Sequence, residues 1–599
     1  MDENPLPQKK HTLVKWLMSF LGLFIIILLA LAWYINYRWK PLLTSIIQNT
    51  VISATDSLYN VHFSNIEINI ISGGVSIDSI EVTTDLRVYQ KLIRQKVAPE
   101  NIINLKVTKL TLKNVNPIKV YLQKKLDIKS IVIENPSLTV FYSKLKNQVA
   151  KAKDNRTVYE RVKDVLKEVK IESLFLSDVN LKYVDQSFEN PKTTHLNKVN
   201  IRLNDILIDS TSATDNHRIF TAKDVIAEIS DYNFATPDSM YHLNIKHVAV
   251  STQKKHLIVE GIGLIPRYGE VMFSNQFEFQ KERYKIMFDS LIANNINFND
   301  LLEKRTFSAS SVKLMHGQLD VFLNRDKPKP KVDKGKNFPH LALQRVSWGI
   351  ITDTLILKNI NISYKEFNPK TNSKGTVYFS DLDGRIFNVT NDSLALSKNH
   401  FADANLSTLL MGKGKLNVHI AFDLTDPKGA FSYDGALGAM QTSTINALTK
   451  PMAMVMTSSG KVNSMNFAIK GNVDGAGGSM TLNYEDLNVI LMKKDEQENF
   501  KRMGLMSLFA NALLLERDNP SGNNPIRIAK PYYTRPPDGS FFNLMWKVIF
   551  VGLKESVGIT KEKEAKLLER AENFKDAKLK REQRKYIRQK RKAERKSNQ

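Results

Sequence analysis

From residue 63 onward, apolar residues recur at every second position, the spacing that places side chains on one face of a β-strand. The first example is the segment FSNIEINI at residues 63–70, followed by Gly73 and Gly74 and then by VSIDSIEV at residues 75–82. Two alternating segments joined by a glycine turn predict a β-hairpin.

A seven-residue pattern then recurs: apolar, any residue, apolar, any residue, Asn or Asp, a branched residue or Pro, and finally Asn, Ser or Asp. It occurs as LTLKNVN from residue 110, IVIENPS from 131, LFLSDVN from 174, LILKNIN from 355, VYFSDLD from 377 and LNYEDLN from 482, with an imperfect copy, IRLNDIL, from 201. Alternation places positions 1 and 3 on one face, and Asn or Asp at position 5 tolerates positive φ and favours a turn. Spacings of 21 and 22 residues between neighbouring copies predict repeated hairpins.

The predicted fold is mainly β: an elongated antiparallel sheet of repeated hairpins, with a few packed helices. Its apolar face either closes on another sheet as a β-sandwich or lines an open groove, and periodicity does not separate these two arrangements. For a groove, the lining is predicted from the shared register of the copies as Leu110, Leu112, Ile131, Ile133, Leu174, Leu176, Leu355 and Leu357.

Residues 16–37 form an apolar segment that predicts a single transmembrane helix. A 22-residue helix rises ~33 Å, enough for the ~30 Å hydrocarbon core. Trp16 lies at one end, Phe24 and Leu28 in the middle, and Trp33 and Tyr37 at the other end, where aromatic residues suit the membrane interfaces. The alternative is a signal peptide cleaved after Ala32. An uncleaved anchor places the bulk of the chain on one side, expected to be the periplasm of a bacterium, with the anchor in the inner membrane.

The order of these features predicts seven segments. They are a cytoplasmic N-terminus (1–15), the anchor (16–37), a β-repeat region (40–325) with a helix near 156–170, a Lys/Pro-rich linker or loop (326–339), a second β region (340–498), a segment of apolar helices (499–559) and a basic helical tail (560–599). The apolar helix from Phe541 either packs over the sheet or lies in a membrane interface.

Composition and motifs argue against an enzyme. The chain has 599 residues, a formal net charge of +25 and no cysteine, which excludes disulfides and thiolate metal sites. Its eleven histidines show no zinc-binding spacing, and no nucleophile elbow or phosphate loop is present. We therefore expect no catalytic residue, no cofactor and no metal.

The positive charge is concentrated in the tail, where residues 561–599 carry 16 Lys/Arg and 7 Asp/Glu. We expect contact with anionic lipid through Lys580, Arg581, Arg584, Lys585, Arg588, Lys590, Arg591 and Lys592. A merely solvated helix is the alternative. RNA would satisfy the same charges, but an extracytoplasmic location would deny it access, so no nucleic-acid partner is expected.

The order of anchor and alternating strands resembles the AsmA-like family of bacterial envelope proteins. The resemblance rests on residues 61–82, on LDIKSIVIENPSLTVFYS from Leu126 and VKIESLFLSDVNLKYVD from Val169, and on the later segments from Gly412 and Ser459. It implies a long β-sheet groove, anchored in the inner membrane, whose apolar interior conducts phospholipid towards the outer membrane. The apolar helices after Asn499 and the basic tail depart from that pattern.

Two functions of different classes follow. The first is a membrane-anchored envelope-biogenesis protein that transports phospholipid between the inner and outer membranes through a β-groove. The second is a non-enzymatic scaffold of closed β-sandwich domains that binds other envelope proteins. The partners are membrane lipids in the first case and proteins in the second.

The anchor prediction is tested by the N-terminus of the mature protein. Because the apolar segment has spanning length and aromatic ends, we expect it to be retained, and N-terminal sequencing of the membrane fraction should begin before residue 16. A mature chain that begins at Trp33 would identify residues 1–32 as a signal peptide instead.

Overall fold

The computed structural model describes most of residues 55–559, together with residues 563, 580, 581 and 583–588. The gaps between residues 55 and 559 are 56, 70–72, 116–118, 120–121, 146–156, 158, 161–162, 164–165, 213, 496, 504–506 and 508–514. The transmembrane segment predicted at residues 16–37 lies outside the described residues. Among the helices that are described, none is long and apolar enough to span a bilayer.

The described chain is mainly β, as its alternating pattern predicts. Its strands are β1 (Tyr59–His62), β2 (Asn65–Asn69), β3 (Gly74–Thr84), β4 (Asn101–Lys113), β5 (Lys125–Glu134), β6 (Ser137–Tyr142), β7 (Glu168–Asp185), β8 (Lys192–Ile208), β9 (Ala222–Ala235), β10 (Tyr241–Ser251), β11 (His256–Pro266), β12 (Arg283–Asn294), β13 (Thr306–Asn324), β14 (Gly349–Asn368), β15 (Ser373–Thr390), β16 (Phe401–Leu410), β17 (Gly414–Asp423), β18 (Phe431–Leu437), β19 (Met440–Gln441), β20 (Val455–Asn472), β21 (Gly475–Lys494), β22 (Phe500–Arg502), β23 (Ile528–Ala529) and β24 (Tyr532–Thr534).

The helices of the described chain are short except for the last. They are α1 (Leu86–Arg94), α2 (Glu270–Ser274), α3 (Phe298–Lys304), α4 (Pro339–Gln344), α5 (Ser393–Lys398), α6 (Asn446–Ala453) and α7 (Phe541–Ser556), with 3₁₀ turns at Gly335–Asn337 and Thr442–Ile445. Helix α7 begins where the Ser540 side chain accepts a hydrogen bond from the Asn543 N–H, an ordinary N-cap.

The chain divides into two compact units. Unit 1 contains the described residues up to 232 together with 247–256, and unit 2 contains 233–246 and the described residues from 257 onward. The Lys/Pro-rich segment 326–339 therefore lies inside unit 2.

In unit 1, the predicted hairpin is confirmed, because β2 pairs antiparallel with β3 in the register Ile66↔Ile77. Gly73 forms its turn with a φ of 62°, and a Cβ at this position would lie 2.7 Å from the Val115 carbonyl oxygen. Strand β3 also pairs with β1 and β4, β4 with β5 and β6, and β7 with β5, β6 and β8, which in turn pairs with β9.

In unit 2, strands β12 to β18 pair in chain order, followed by β20 and β21, so most neighbours are joined as hairpins. The short strand β19 also pairs with β20, and strands β22, β23 and β24 all pair with β21.

The prediction of a wholly antiparallel sheet is wrong, because the pairing is mixed. Strands β5 and β6 both pair parallel to β7, and β13 pairs parallel to β14. Parallel neighbours need a crossover of a dozen or more residues, whereas antiparallel ones need only a tight turn. The connections at residues 143–167 and 325–348, which lead into β7 and β14, are these crossovers.

The helix predicted near 156–170 lies partly outside the described residues. Of those described, residues 159 and 160 are helical, whereas the last three belong instead to β7, which begins at Glu168. This strand onset follows from the parallel pairing of Glu168 with Lys125 and of Val169 with Leu126. Tertiary pairing therefore overrides the local helical spacing at this end of the segment.

The fifth position of the repeated motif adopts a left-handed backbone in every copy. The φ values lie between 48° and 56° at Asn114, Asn135, Asp178, Asp205, Asn359, Asp381 and Asp486. Asn and Asp are the residues other than glycine that accept this conformation most readily. The positive φ predicted for this position is therefore confirmed.

The prediction that each copy ends a strand in a turn is wrong for most copies. Strands β7, β8, β14, β15 and β21 continue through the motif. In β7, β14, β15 and β21 the pairing shifts register there, for example between Leu357 and Ile360, whereas β8 keeps its register. The motif is therefore a β-bulge within a long strand, and the extra residue reverses the alternation of faces. As a result, Lys358 and Asn359 are both exposed while the position-6 residue, Ile360, is only 4% exposed.

In strands β14 and β15, position 7 of the motif satisfies the backbone that the bulge frees. The Asn359 N–H donates to Asp383 Oδ1 at 2.8 Å, and the Asp381 N–H donates to Asn361 Oδ1 at 3.2 Å. Asn361 and Asp383 are the seventh residues of the copies in β14 and β15, so the two copies bond each other reciprocally. In this pair of strands, the polar residue at position 7 thus supplies the acceptor that the interrupted ladder lacks. Elsewhere, the Asp178 N–H donates to Asn200 Oδ1 and the Asp486 N–H donates to Asp518 Oδ1.

The left-handed backbone of the bulge predicts the effects of two substitutions at Asn359. Asn359→Val should destabilise unit 2 by about 1–2 kcal/mol, because a β-branched residue strains in the left-handed region. Asn359→Gly should change the stability by less than ~0.5 kcal/mol, because glycine adopts this conformation freely. The free energy of unfolding in urea measures both effects, with Asp353→Val at an exposed extended position of β14 as the control. An equal effect of valine at residues 353 and 359 would contradict the role of the bulge.

Candidate functional site

The motif copies of unit 1 lie side by side across its sheet. Directly paired residues share a face, and pairing connects Val75, Leu112, Ile131, Leu174 and Leu203 in one row and Ile77, Leu110, Ile133, Leu176 and Ile201 in the next. Because the two rows are two residues apart along each strand, they also share a face. The sheet thus brings together six of the eight residues predicted to line a groove.

Unit 2 builds a second pair of rows around the remaining two residues. One row contains Val312, Leu355, Ile386, Ala404, Ile420, Tyr433 and Ile469, and the other contains Leu314, Leu357, Gly384, Leu406, Val418, Gly435 and Phe467. We refer to these residues, with those of unit 1, as the apolar rows. Pairing across β13–β18 and β20 makes the face continuous within unit 2.

The eight predicted residues are all half-buried. None of them belongs to the clusters of buried side chains found within the described residues. A closed β-sandwich would bury this face completely, since facing sheets interdigitate over a ~10 Å core. The apolar rows are therefore only partly covered at these eight positions.

The rows of unit 2 change from half-buried to fully buried along their length. Val312, Leu355 and Ile386 are half-buried, whereas Ile420 is 6% exposed and Ile469 is 1% exposed. The buried residues belong to one cluster with Phe338, next to α4, and with three residues of α7, Phe541, Leu544 and Val548. Helix α7 thus closes the apolar face over strands β16–β21, which leaves it partly open over β13–β15.

Aromatic contacts and one hydrogen bond hold α7 in this position. The Phe541 ring lies 4.9 Å from the Phe431 ring and 5.3 Å from the Phe338 ring, centroid to centroid. The Tyr433 hydroxyl donates to the Met545 carbonyl oxygen at 3.2 Å, and burial raises the pKa of Tyr433, so this donor keeps its proton. The hydroxyl thus connects a row residue on β18 to the helix that covers the row.

The side chain of Arg535 is 5% exposed and connects the crossover 325–348 to the start of α7. Its Nη2 donates to Asp333 Oδ1 at 2.7 Å, and its Nη1 donates to the Gly539 carbonyl oxygen at 3.0 Å. The carboxylate neutralises the buried charge, and the carbonyl fixes the residue just before the Ser540 cap. The Lys/Pro-rich segment therefore takes part in closing the rows.

The opposite face of unit 2 is polar. There the pairing brings Lys313, Arg385, Asn405, His419 and Asp434 into one line, interrupted by Ile356. His419 Nδ1 lies 3.1 Å from Asp434 Oδ1, and Nε2 lies 3.4 Å from Asp403 Oδ1. The sheet is thus apolar on one side and charged on the other, as the alternation predicts.

Some apolar residues of the rows, and others on the same strands, were not found from the sequence. Ile360, Leu382 and Ile206, each at position 6 of a copy, are buried on the same strands, but a motif interpreted as a turn hides them. Val312 and Leu406 lie in strands without a copy and enter the rows only through pairing. The sequence does carry one signal for the buried position-6 residues: a branched residue recurs there, three residues after the apolar residue at position 3.

The other predicted site residues fall into two groups. Trp16, Phe24, Leu28, Trp33 and Tyr37, and in the tail Lys590, Arg591 and Lys592, lie outside the described residues. Lys580, Arg581, Arg584, Lys585 and Arg588 are helical and exposed. No group of three potential metal ligands comes together within the part of the chain that the structure describes.

Neither a protein-family model nor a curated protein sequence matches the chain. The architecture by itself, a large and mainly β fold with repeated hairpins, is compatible with a groove-forming β-protein. A functional proposal for this chain therefore rests on its own surfaces, above all on the apolar rows.

His340 makes the closed end of the rows sensitive to pH. It is 3% exposed, with its ring 5.0 Å from Phe422 and 6.3 Å from Phe338, and burial lowers its pKa below the ordinary value of about 6.5. The folded state therefore favours the neutral His340 ring over the charged one. The neutral ring contributes fully to the free energy of unfolding above pH ~6.5, and this contribution is lost as the pH falls below that value.

We expect the free energy of unfolding to fall by up to about 1.4 kcal/mol per pH unit below pH ~6.5, through His340. His340→Phe should remove this part of the pH dependence, whereas His217→Phe, at an exposed histidine, should not. Unfolding titrations between pH 4 and 8 measure both. A pH profile unchanged by His340→Phe would rule out this residue as the cause.

Proposed function

We propose that the apolar rows hold the acyl chains of phospholipids, and that the chain is a non-enzymatic envelope-biogenesis protein that transports phospholipid between the inner and outer membranes of a bacterium. The observation that carries the proposal is the pairing of half-buried apolar residues into continuous rows on successive strands. The closed-sandwich scaffold is less well supported, because it requires full burial of these residues.

Acyl chains suit such a surface on physical grounds. A hydrocarbon chain needs an apolar wall without directional bonds, and it gains about 0.8 kcal/mol for each CH₂ group removed from water. At ~4.8 Å per strand, the five paired strands of a unit 1 row extend over ~19 Å, close to the length of an extended acyl chain. The partly open parts of the rows carry no side-chain hydrogen-bonding group, which would let a lipid slide from strand to strand.

Sequence features support the cellular setting. The apolar segment at residues 16–37 has the length of a single-pass anchor, and the order of segments resembles the AsmA-like family. Both favour an inner-membrane protein with its bulk in the periplasm. The bulged motif supports the same role, because it keeps one face of a long strand apolar past the position where simple alternation would be interrupted.

Photo-crosslinking tests the proposal with one substitution at a time. A benzophenone amino acid at Leu112, Leu174 or Leu355 should form adducts with phospholipid in cells, because these residues lie in the partly open rows. The matched controls are Thr111 and Arg385, which lie on the opposite face of the same sheets, and Ile469, which lies in a row but is covered.

Mass spectrometry of the adducts gives the outcome. Phospholipid on the three row positions, with little on the three controls, would support the groove. Equal yields on both faces, or adducts with protein alone at the row positions, would contradict lipid binding and favour the scaffold.

A further inference from the structure

The outward face of α7 carries a line of exposed aromatic residues. Phe542 is 70% exposed, Trp546 is 42% exposed and Phe550 is 37% exposed, and the spacing of four residues places them along one side of the helix. We call these three residues the aromatic stripe. The opposite side of the same helix, with Leu544 and Val548, is fully buried against the sheet. Helix α7 is therefore packed against the sheet on one face and exposes the other face to solvent.

The surroundings of the stripe are cationic. Lys547 and Lys554 belong to the same helix, and the Lys554 ammonium lies 5.8 Å from the Phe550 ring centroid. Burial lowers the pKa of Lys547, and the positive charges of Arg325, Lys329 and Lys554 lower it further, against the opposing effect of Glu366. Of these neighbours, Arg325 is paired with Glu366 and Lys329 with Asp538, so the cations outnumber the carboxylates.

The chain that follows α7 adds to this charge. Residues 573–599 carry 12 Lys/Arg and 3 Asp/Glu, and they begin 17 residues after Ser556. Within this cationic run, the described residues Lys580, Arg581, Arg584, Lys585 and Arg588 are exposed. Exposed Tyr586 and Ile587 lie among the cations of the run.

We propose that the aromatic stripe of α7 docks into the interface of an anionic membrane, with Lys547, Lys554 and the exposed cations Lys580, Arg581, Arg584, Lys585 and Arg588 bound to its headgroups. Phe and Trp favour the interfacial zone, and nearby cations favour anionic lipid. This inference does not depend on lipid transport through the rows, because it concerns the other face of the helix. If both hold, α7 lies between the closed end of the rows and a bilayer.

A membrane fits the stripe better than a protein partner does. The stripe is one narrow line of three residues on a helix fixed to its own sheet. The charge around it is predominantly positive, and this complements an anionic lipid surface over an extended area. A second copy of this chain would bring the same positive charge and would be repelled.

The absence of cysteine permits a local test in the full-length chain. An NBD fluorophore attached at Asn543→Cys, an exposed position next to the stripe, reports contact of α7 itself, independently of any anchoring by the N-terminus. The same label at Lys398→Cys, exposed at the end of α5, is the control position. The chain is reconstituted in phosphatidylcholine vesicles with or without phosphatidylglycerol, each containing nitroxide-labelled lipid.

We expect nitroxide quenching at residue 543 in the anionic vesicles, weaker quenching in the neutral ones or at high salt, and little at residue 398. Phe542→Ser/Trp546→Ser/Phe550→Ser should abolish it. A matched variant, Trp348→Ser/Phe387→Ser/Phe401→Ser, removes three similarly exposed aromatic residues elsewhere in unit 2 and should leave it unchanged. Circular dichroism verifies that both variants fold.

Three outcomes would overturn the proposal. The first is no quenching at residue 543 in anionic vesicles, and the second is quenching that survives loss of the stripe. The third is an NBD signal that reports burial without any vesicles and depends on protein concentration, which would assign the stripe to contacts between copies. Failure of lipid crosslinking in the rows would leave this test unaffected.

Discussion

The fold depends on one backbone feature, the left-handed residue at position 5 of the repeated motif. Strands of 18 to 20 residues, such as β7 and β14, twist and must keep one apolar face over their whole length. The bulge lets the two polar residues at positions 4 and 5 remain on the solvent side and returns position 6 to the apolar face. The reciprocal bonds of Asn361 and Asp383 keep the freed N–H groups satisfied. Without this feature, the rows would be interrupted at every copy.

The burial of the rows then determines which parts of the apolar face can bind a ligand. At the motif copies of unit 1 and at β13–β15 of unit 2, the row residues are half-buried, so an apolar ligand could still remove more area from water. At β16–β21, α7 and Phe338 occupy the same face, and the rows become part of an ordinary core. One continuous pattern of side chains thus serves as a candidate binding surface in one place and as a packing surface in another.

Helix α7 has both roles in a single element. Its buried side completes the core through Phe541, Leu544 and Val548, and its exposed side presents Phe542, Trp546 and Phe550. The adjacent phenylalanines 541 and 542 therefore have opposite environments, one in the aromatic cluster and one in solvent. The two uses are compatible because helical spacing separates the faces.

The sequence by itself determined the strand-rich class, the β2–β3 hairpin, the positive φ of Asn or Asp at position 5 and the common face of Leu110 and Leu112. These are local properties, set by alternation and by the conformations that each residue type accepts. Only the tertiary structure decided that β5, β6 and β13 pair parallel to their neighbours, that the motif bulges within strands, and that α7 covers one end of the rows. Those features depend on which distant segments pair, and the energy of pairing is absent from any single stretch of sequence.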